Sequence, residues 1–467
     1  MLWRGEEIGF ITNGSVTKPF EVNGISIDTR TLMPNELFIA LVENRDGHDF
    51  ILDAMKKGAS GALVSKVPKE VPSDFPLVIV ENVFSALNAL GTAGRARISG
   101  KVIAVTGSVG KTSTKEMLKR TLSEQFITHA SENSYNNHWG VPLTLAKMPL
   151  QTEIAILEIG MNNPGEILPL AEMVRPDIAI VTNVTKAHLA SFDSLEKIIE
   201  EKFSILKSLR VDGVGIINGD IENLNKIVKP LESRLVTFGE SEFTDWTLSE
   251  VKNEGSFISC SVESDEKSFK FKLKTVGNHF AINATAVFCA IQEVAGDLLK
   301  ATVALSDWKP FKGRGERSLI YLRNAHIGPP LELIDESYNA SPASVKAGLM
   351  ALKTLEPLQS KGGRRIAILG DMKELGKSEV ALHQEIENYL SDEGISLVHC
   401  VGALMKSLHN CLPIDKKGLW VLTADELVNE IKLLLNPGDI VMVKGSLSMK
   451  MDLVVAAIKN LGYLKNK

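Results

Sequence analysis

The chain has 467 residues, of which 44% are hydrophobic and 23% charged, and its formal net charge is −5. This length predicts two to four domains of about 100–200 residues each. The charge gives no basic footprint for nucleic acid, and no apolar run approaches the roughly 18 residues of a membrane span. The N-terminus lacks the basic and apolar regions of a secretory signal, and four scattered cysteines without a C-x-x-C pair indicate reduced thiols. We therefore expect a cytoplasmic enzyme.

Residues 1–98 combine short strand-like runs with helical patterns, which predicts a small α/β domain. The strand-like runs are 36–41, 62–65 and 77–80. Two polar clusters, IDTR at 27–30 and DGHDF at 46–50, lie at the edges of apolar runs. Arg30 and His48 have the chemistry to hold a phosphate or a carboxylate. From the residues alone, however, a turn or a cap is the favoured interpretation of each.

The stretch VIAVTGSVGKTSTKEM, residues 102–117, has the pattern of a phosphate-binding loop. A β-branched apolar run ends at Gly107, and Gly110 then opens a segment with helical spacing. Glycines let backbone N–H groups turn toward phosphate oxygens, and a helix N-terminus adds partial positive charge. Lys111 would reach the β- and γ-phosphates, and the Thr112 hydroxyl would bind Mg²⁺. Only two residues separate the two glycines where the strict pattern has four, so this is a variant loop; the alternative is an ordinary glycine-rich turn.

From residue 99 to residue 309, strand-like runs alternate with helical segments. This alternation predicts a doubly wound parallel sheet with helices on both faces. The predicted strands are 102–106, 154–159, 178–184, 214–218 and 235–238, followed by more polar β-like runs at 257–262 and 268–273. Ligands of such sheets bind at the carboxyl ends of the strands. Gly107, Glu158 and the segment 183–188 fall at these ends.

Three ionisable residues of this region have competing interpretations. Glu158 lies in an otherwise apolar strand, where a carboxylate is costly unless it is paired or bound to a metal; the alternative is a cap on a neighbouring helix. His188, in TKAHLASF, is a candidate ligand or a histidine at the start of a helix. Lys202 follows KIIEE, and this spacing favours a lysine on the solvated side of a helix.

Further along, the amide-rich loop ENSYNNHWGVPLTL, residues 132–145, is a candidate binding loop. GNHFAIN at 277–283 begins an alanine-rich helix, and KPFKGRGE at 309–316 marks a boundary. Beyond it the α/β alternation restarts and predicts a second doubly wound domain. Its predicted strands are 331–334, 366–369, 397–401, 420–422 and 440–443, and its predicted helices include 344–355, 380–390 and 424–435.

The order of the motifs resembles that of the Mur ligases of peptidoglycan synthesis. The motifs are TGSVGKTSTK, NNHWGVPLTL, EIGMNNPGE, TNVTKAHL, GNHFAIN, GRGE, DESYNASP, GDMKELG and KGS, and they span nearly the whole chain. DESYNASP and GDMKELG resemble the members that join D-alanyl-D-alanine to UDP-N-acetylmuramoyl-tripeptide, and the DNPR motif of the members that add the third residue is not found. The resemblance implies a smaller N-terminal α/β domain for the UDP-substrate (1–98), a central P-loop ATPase domain (99–309) and a C-terminal Rossmann-like domain for ATP and the acceptor (310–467).

The implied reaction uses ATP to phosphorylate the terminal carboxylate of the tripeptide, and the amine of D-alanyl-D-alanine then attacks the acyl phosphate. A carboxylate is a poor electrophile because its leaving group would be an oxide, and phosphorylation supplies a better one. Metal ions and Lys111 would neutralise the developing charge. The alternatives are the related ligase that adds the third amino acid, a folylpolyglutamate synthase-like ligase, and a P-loop nucleotide switch. We expect a monomer without a nucleic-acid partner or a membrane span.

The resemblance also implies the roles of individual residues. Thr112 and Glu158 would bind one Mg²⁺, and His188 a second. Lys202 falls where the family has a carbamylated lysine, whose anionic oxygen would be a further metal ligand. With Lys111, the residues assigned to catalysis are Glu158, His188 and Lys202.

Two sets of binding residues follow from the same resemblance. The residues expected to bind the phosphates of ATP are Gly107, Ser108, Val109, Gly110, Lys111, Thr112, Ser113 and Arg314. Those expected near the adenine are Asn278, His279 and Asn283, and Asp335 is expected to contact the ribose. The residues expected to contact the UDP-sugar-peptide are Asp28, Thr29, Arg30, Asp46, Gly47, His48, Asn136 and Asn137.

The chain departs from the family pattern at three places. Ser204 stands where many relatives have a glutamate, and Leu447 stands where an arginine is common. The VENRDGHDF stretch is shorter than the usual substrate loop. The first two departures alter the charge around the metals and the acceptor, and the third affects the UDP contacts. None removes a predicted direct metal ligand.

Overall fold

The computed structural model describes residues 1–186, 189–222, 224, 233–323, 328–357, 362–390 and 394–464. Their strands form sheets of five, nine and seven strands, each in a successive part of the chain, and one two-stranded ribbon. Helices pack against the sheets, so the mixed α/β architecture predicted from the sequence is confirmed. None of the described helices is both long enough and apolar enough to cross a membrane.

The N-terminal sheet has four parallel strands and one antiparallel strand at its edge. In spatial order its strands are Ser15–Val16, Leu77–Ile79, Gly61–Val64, Glu36–Ile39 and Gly24–Ser26. The ribbon pairs Trp3–Arg4 with Glu21–Val22. The helices are Gly5–Thr12, Ile51–Lys56 and Val83–Ala96, with a 3-10 turn at Gly47–Phe50. Apolar clusters cover both faces of the sheet, which is why its inner strands are continuous apolar runs.

The central sheet is parallel across seven strands and ends in two antiparallel strands. In spatial order the strands are Thr128–Ala130, Ile154–Glu158, Lys101–Thr106, Ile178–Val181, Val214–Asn218, Arg234–Gly239, Trp246–Asn253, Ile258–Glu263 and Ser268–Leu273. The helices are Lys111–Leu122, Gly140–Ala146, Ile167–Val174, Leu195–Phe203, Asn278–Glu293 and Leu298–Ser306, with a 3-10 turn at Ser204–Ser208. Two apolar clusters bury the two faces. The strand predicted at 178–184 is shorter than expected and ends at Val181.

The C-terminal sheet has five parallel strands followed by two antiparallel pairings. In spatial order the strands are Lys417–Val421, Leu397–Val401, Arg365–Gly370, Ile440–Lys444, Leu331–Glu336, Glu316–Leu322 and Gly462–Leu464. The helices are Pro342–Lys353, Glu379–Gln384, Met405–Cys411, Ala424–Leu434 and Met451–Asn460. The 3-10 segments are Gly376–Ser378, Glu385–Tyr389, Ile414–Lys416 and Leu447–Met449. The helix predicted at 380–390 is therefore divided: its second half is a 3-10 segment.

The N-terminal and central parts are joined by closely packed helices. The helix Val83–Ala96 lies against the helix Gly140–Ala146, and a Cβ placed on Gly94 would lie 2.1 Å from a backbone oxygen of that facing helix. The indole Nε1 of Trp3 donates to the carbonyl oxygen of Ala146 at 2.8 Å. Apolar residues from both sides form a single cluster. The two parts therefore share a core.

A loop of the C-terminal part touches the central part in the segment that follows the strand Ile178–Val181. The backbone N–H of Ala190 donates to the carbonyl oxygen of Glu374 at 3.0 Å. Gly376 has a φ of +59° and lies so close to Ala190 that a Cβ would be 3.1 Å from its Cα. This contact requires a glycine because both the dihedral angle and the space exclude a larger residue.

Candidate active site

The carboxyl ends of the central strands line a cavity of about 790 Å³ that the C-terminal part closes from the other side. This volume falls in the range of about 300–1,000 Å³ that small-molecule and cofactor sites occupy. The side that we call the central wall carries Ser108, Val109, Gly110, Lys111, Thr112, Ser113, Asn136, Asn137, Glu158, His279 and Asn283. The side that we call the C-terminal wall carries Arg314, Glu336, Tyr338, Lys373, Lys444, Ser446 and Leu447.

The predicted phosphate-binding loop is present between a strand and a helix. Gly110 has a φ of +89° and is the N-cap of the helix Lys111–Leu122. A Cβ on Gly110 would lie 2.7 Å from Oδ1 of Asn283, and a Cβ on Gly107 would lie 2.0 Å from Oγ1 of Thr182. Both glycines are therefore required by dihedral angle and by space, and the helix N-terminus faces the cavity with its free N–H groups.

Lys111 is the cation of this loop. Its Nζ donates to the carbonyl oxygen of Gly107 at 2.7 Å. The surrounding protein desolvates the ammonium and thereby lowers its pKa, the Glu158 carboxylate opposes this, and Arg314 adds to the lowering. An incoming phosphate would compensate the ammonium better than the loop does, because its oxygens carry full negative charge.

Glu158 ends the strand Ile154–Glu158 and is buried, with 1% of its surface exposed. Its Oε1 accepts from the amide of Asn136 at 2.7 Å, whereas its Oε2 is buried and has no hydrogen-bond partner among the described residues. These contacts do not fit a helix cap, so that alternative was wrong. A buried carboxylate oxygen without a partner is costly and fits a position where a hard cation binds.

Hydroxyl groups complete this corner of the central wall. The Thr112 Oγ1 lies 3.5 Å from the Oγ of Ser134, and both residues line the cavity. The described residues contain no group of three or more His, Cys, Asp or Glu side chains placed to hold a metal. The donor set that remains, hydroxyls and one carboxylate, suits Mg²⁺, which prefers few protein ligands together with phosphate oxygens.

Ser134 and Lys115 were not singled out from the sequence. The fully buried Lys115 donates to the carbonyl oxygens of Ser131 at 2.8 Å and Asn133 at 2.7 Å, and its ammonium also pairs with Glu116. These contacts fix the amide-rich loop beside the helix. Lys115 lies four residues after Lys111, on the helix face that the apolar spacing buries, and that periodicity was the signal that could have found it.

Arg314 connects the two walls of the cavity. Its Nη2 donates to the Oγ of Ser134 at 3.0 Å, and its guanidinium carbon lies 4.1 Å from the centre of the Tyr338 ring. A guanidinium held between a hydroxyl and an aromatic face keeps N–H donors available for an anion. A contact between Arg314 and the phosphates of ATP remains a prediction.

Lys202 is buried on the helix Leu195–Phe203, with 1% of its surface exposed. Its spacing favoured a solvated position, and that interpretation was wrong. The neighbouring Glu201 accepts the backbone N–H groups of Gly165 and Ile167 at 2.8 Å each, whereas Lys202 lies on the helix face of the buried Ile198 and Ile199. Desolvation, followed by the charge of Lys111, lowers the pKa of Lys202 well below its usual value. The predicted ligand His188 lies outside the described residues.

Only some of the residues predicted near the nucleoside line the cavity. His279 and Asn283 line the cavity, and desolvation lowers the pKa of His279. Asn278 does not line it, because its amide donates to Glu240. Asp335 is fully buried behind the C-terminal wall, where its Oδ1 accepts from the hydroxyl of Ser337 at 2.6 Å. A contact between Asp335 and a ribose remains a prediction.

Of the residues predicted to contact the UDP-sugar-peptide, Asn136 and Asn137 line the cavity. The others, Asp28, Thr29, Arg30, Asp46, Gly47 and His48, lie on the N-terminal part and do not line it. Arg30 is exposed and its Nη2 lies 2.6 Å from Oδ2 of Asp28. This hydrogen bond lowers the pKa of the Asp28 carboxyl. Arg30 therefore presents an oriented cation to solvent.

His48 is committed to internal hydrogen bonds. Its Nδ1 lies 2.6 Å from Oδ1 of Asp46, and its Nε2 accepts the backbone N–H of Ser65 at 3.0 Å. Lys66 also donates to Asp46 at 2.6 Å and lowers the pKa of its carboxyl. Both ring nitrogens of the buried His48 are thus used by the protein. The favoured interpretation as a turn or cap describes His48 better than a direct substrate contact.

The fold and the site together define a nucleotide-dependent enzyme whose phosphate-binding loop faces a second α/β wall. Residues 105–291 match the family model of the Mur ligase middle domain, and residues 323–447 match that of the Mur ligase, glutamate ligase domain. The relatives described next are similar along nearly the full length. The chain belongs to the Mur ligase family.

Two curated relatives illustrate the similarity. The UDP-N-acetylmuramoyl-tripeptide--D-alanyl-D-alanine ligase of Rickettsia prowazekii is 34% identical over 459 residues, which is 97% of this chain and 99% of the relative. The ligase of the same name from Bacillus subtilis is 32% identical over 93% of this chain and 92% of the relative. These similarities cover all three sheets.

Solved structures show the same fold. A crystal structure of MurF from Acinetobacter baumannii has a TM-score of 0.81 and 25% identity, and covers 98% of this chain and 99% of its own. MurF from Thermotoga maritima, solved in complex with ADP, has a TM-score of 0.75 and 24% identity, and covers 94% and 97%. The recognition of the family from its motifs is confirmed.

Proposed function

We propose that this chain is an ATP-dependent ligase that joins D-alanyl-D-alanine to UDP-N-acetylmuramoyl-tripeptide through an acyl phosphate, giving the UDP-linked pentapeptide for peptidoglycan synthesis. The observation that carries the proposal is the placement of Lys111 and the unpartnered Glu158 oxygen in one cavity between two walls. The names of the near-full-length relatives supply the two substrates. A cytoplasmic monomer remains the expectation.

ATP binding would use the loop from Gly107 to Ser113, where helix N–H groups and Lys111 meet the phosphates. Thr112 and Glu158 would hold Mg²⁺, and His188 with a carbamylated Lys202 would hold a second ion. Mg²⁺, when bound, neutralises phosphate oxygens and polarises the bond to the transferred phosphoryl group. The neutral amine that the low pKa of Lys202 favours is the form that adds to CO₂ and releases a proton.

The first chemical step transfers the γ-phosphoryl group to the carboxylate of the tripeptide, and ADP leaves. Lys111 stabilises the charge that develops on the transferred group, and Arg314 reaches the same space from the other wall. In the second step the amine of the acceptor attacks the acyl carbon, and phosphate leaves from a tetrahedral intermediate. Two walls around one cavity suit this sequence, because an acyl phosphate must be protected from water.

The test is phosphate release from ATP with UDP-N-acetylmuramoyl-tripeptide, with and without D-alanyl-D-alanine. We expect release only when both substrates are present, together with formation of the pentapeptide. Turnover with a single amino acid would assign the chain to the ligase that adds the third residue, and turnover with a folate acceptor would assign it to a folylpolyglutamate synthase-like ligase. A rate of ATP hydrolysis that neither substrate changes would favour a nucleotide switch.

A further inference from the structure

We propose that Lys373 binds the C-terminal carboxylate of the acceptor dipeptide and thereby makes the enzyme selective for an acceptor with a free carboxylate. This inference rests on the proposed function, since it names the residue of the C-terminal wall that recognises the acceptor. It concerns a side chain in the GDMKELG motif, to which no role was assigned from the sequence.

The chemistry of the acceptor sets a charge requirement. Its amine must reach the acyl phosphate, which forms beside Lys111 on the central wall. The carboxylate at its other end does not react and extends away from that wall. A carboxylate that leaves water for a cavity needs a cation or several N–H donors, because an uncompensated buried charge is costly.

Among the cavity-lining residues that the structure describes, four are lysine or arginine: Lys111, Arg314, Lys373 and Lys444. Lys111 belongs to the phosphate-binding loop, and Arg314 is held against Ser134 of the central wall. Both therefore lie where phosphate is expected. The cations left for a carboxylate on the C-terminal wall are Lys373 and Lys444.

Lys444 is already compensated within the protein. Its Nζ donates to Oε2 of Glu336 at 2.9 Å and to the carbonyl oxygen of Asn339 at 3.0 Å. Only 3% of its side-chain surface is exposed. A ligand carboxylate at Lys444 would have to compete with a buried ion pair, so Lys444 is suited to holding the wall together.

Lys373 also pairs with a carboxylate, because its Nζ donates to Oδ2 of Asp371 at 2.9 Å, but its side chain is 43% exposed and a ligand can reach it. Asp371 is buried, and its other oxygen accepts the backbone N–H of Met405 at 2.8 Å. One of the three ammonium hydrogens is thus used to orient the side chain, and the exposed face of the ammonium carries donors for a ligand.

The backbone around Lys373 is fixed by neighbouring loops. Its N–H donates to the Oγ of Ser446 at 2.9 Å, and the N–H of Ser446 donates to the carbonyl oxygen of Asp371 at 3.1 Å. The adjacent Leu447 lines the same wall and is 64% exposed, but it carries no charge. In this chain the exposed positive charge beside Leu447 therefore comes from Lys373, since Lys444, which begins the KGSL segment, is buried and paired with Glu336.

The experiment compares two acceptors, D-alanyl-D-alanine and its C-terminal carboxamide, which lacks only the negative charge. The full-length wild-type enzyme should use the acid about 10- to 100-fold better than the amide in kcat/KM, the range expected for one charge-assisted contact. Lys373→Met should lose most of this preference, so that the two acceptors differ by less than about threefold. The loss should appear mainly in KM for the dipeptide, with KM for ATP and for the UDP-substrate unchanged.

Two further variants complete the design. Lys377→Met removes an exposed lysine of the same loop that does not line the cavity, and should behave as wild type. Lys373→Arg keeps the charge and should retain a preference for the acid, which shows that the loop still folds. The assignment is overturned if Lys373→Met keeps the wild-type preference, or if the wild type does not distinguish acid from amide. A wild-type enzyme that makes no pentapeptide would overturn the proposed function itself, and the assignment with it.

Discussion

Lys111 lines the cavity and Lys202 is buried, and different features of the sequence bear on each. Lys111 follows a glycine turn, and its role can be argued from local geometry alone. Lys202 stands in a charged helical stretch, but it lies four and three residues after the buried Ile198 and Ile199. The charges favoured a solvated face, whereas this helical spacing from apolar residues was the signal for burial.

Replacing Lys111 by methionine should lower kcat for pentapeptide formation at least about 100-fold, because a preorganised charge that stabilises the transferred phosphoryl group is lost. Steady-state phosphate release measures this effect. Lys119→Met, at an exposed position of the same helix, is the control and should leave the rate within about twofold. Near-normal turnover of Lys111→Met would contradict the phosphate-binding assignment.

Lys202→Ala should lower activity at least about 100-fold. Short carboxylic acids should restore part of the lost activity, because an added carboxylate can occupy the place of the carbamate. The measurement is kcat with and without millimolar-range acetate or formate. Lys197→Ala, at an exposed position of the same helix, should keep full activity and show no response to the acids. Full activity of Lys202→Ala without additives would refute a role for carbamylation.

At the scale of elements, the sequence predicts best where burial on both faces produces continuous apolar runs. The five central strands predicted before residue 240 were placed within one or two residues, apart from the strand that ends at Val181, and the helix after the glycine loop begins at Lys111 as its pattern indicated. The strands Thr128–Ala130, Trp246–Asn253 and Glu316–Leu322 were among those not predicted, because they are only partly buried and owe their conformation to pairing with a neighbour. Propensity carries little information about such edges.

The residues of the candidate site could likewise be predicted where a local sequence pattern marks them. Residues at the strand ends and in the glycine loop could be identified from their local pattern. Ser134 and Arg314 act together across 180 positions of sequence, and no local pattern encodes that pairing. Arg314 was assigned only through the resemblance to a family, and Ser134 was missed.

Gly94→Ala should destabilise the protein by about 1–3 kcal/mol, since its Cβ would overlap a backbone oxygen of the facing helix at 2.1 Å. The intrinsic helix propensity of alanine favours the substitution by about 1 kcal/mol, so packing and propensity predict opposite signs. Thermal unfolding decides between them. Thr92→Ala, exposed on the same helix, should change stability by less than about 0.5 kcal/mol. An unchanged or raised Tm for Gly94→Ala would show that the helices are farther apart.

At the scale of the whole molecule, the three sheets are held together by unlike contacts. The N-terminal and central parts share an apolar cluster, and the C-terminal part meets the central part through a backbone hydrogen bond at Ala190, through Arg314 and through Val276, which packs in the C-terminal apolar cluster. The described central residues contribute fewer apolar side chains to the C-terminal cluster than to the N-terminal one. We expect the C-terminal part to move more than the N-terminal part during the reaction cycle.

The stability of the molecule should fall in acid partly because of His399. Burial lowers the pKa of His399 to about 4, and its Nδ1 accepts the backbone N–H of Leu419 at 2.9 Å. Because the unfolded chain takes up this proton near pH 6.5 and the folded chain does not, stability is full above that pH and falls toward pH 4. At pH 5 the loss is about 2 kcal/mol.

His399→Asn removes this proton uptake and keeps an acceptor for Leu419. The variant should therefore lose less Tm than the wild type between pH 7 and pH 5, whatever its Tm at pH 7. Differential scanning calorimetry of both proteins at pH 7 and pH 5 measures the change in Tm of each. Equal changes in Tm would mean that His399 titrates alike in the folded and unfolded chains.

The core that the N-terminal and central parts share has a consequence for protein engineering. A chimera that takes its first 98 residues from a relative would leave the helix Gly140–Ala146 facing foreign counterparts of Trp3 and of the helix Val83–Ala96. The exchangeable module is therefore larger than the sheet that defines it and includes a helix encoded some 40 residues further on. Recombination that respects this unit should give folded hybrids, and recombination at the sequence boundary should not.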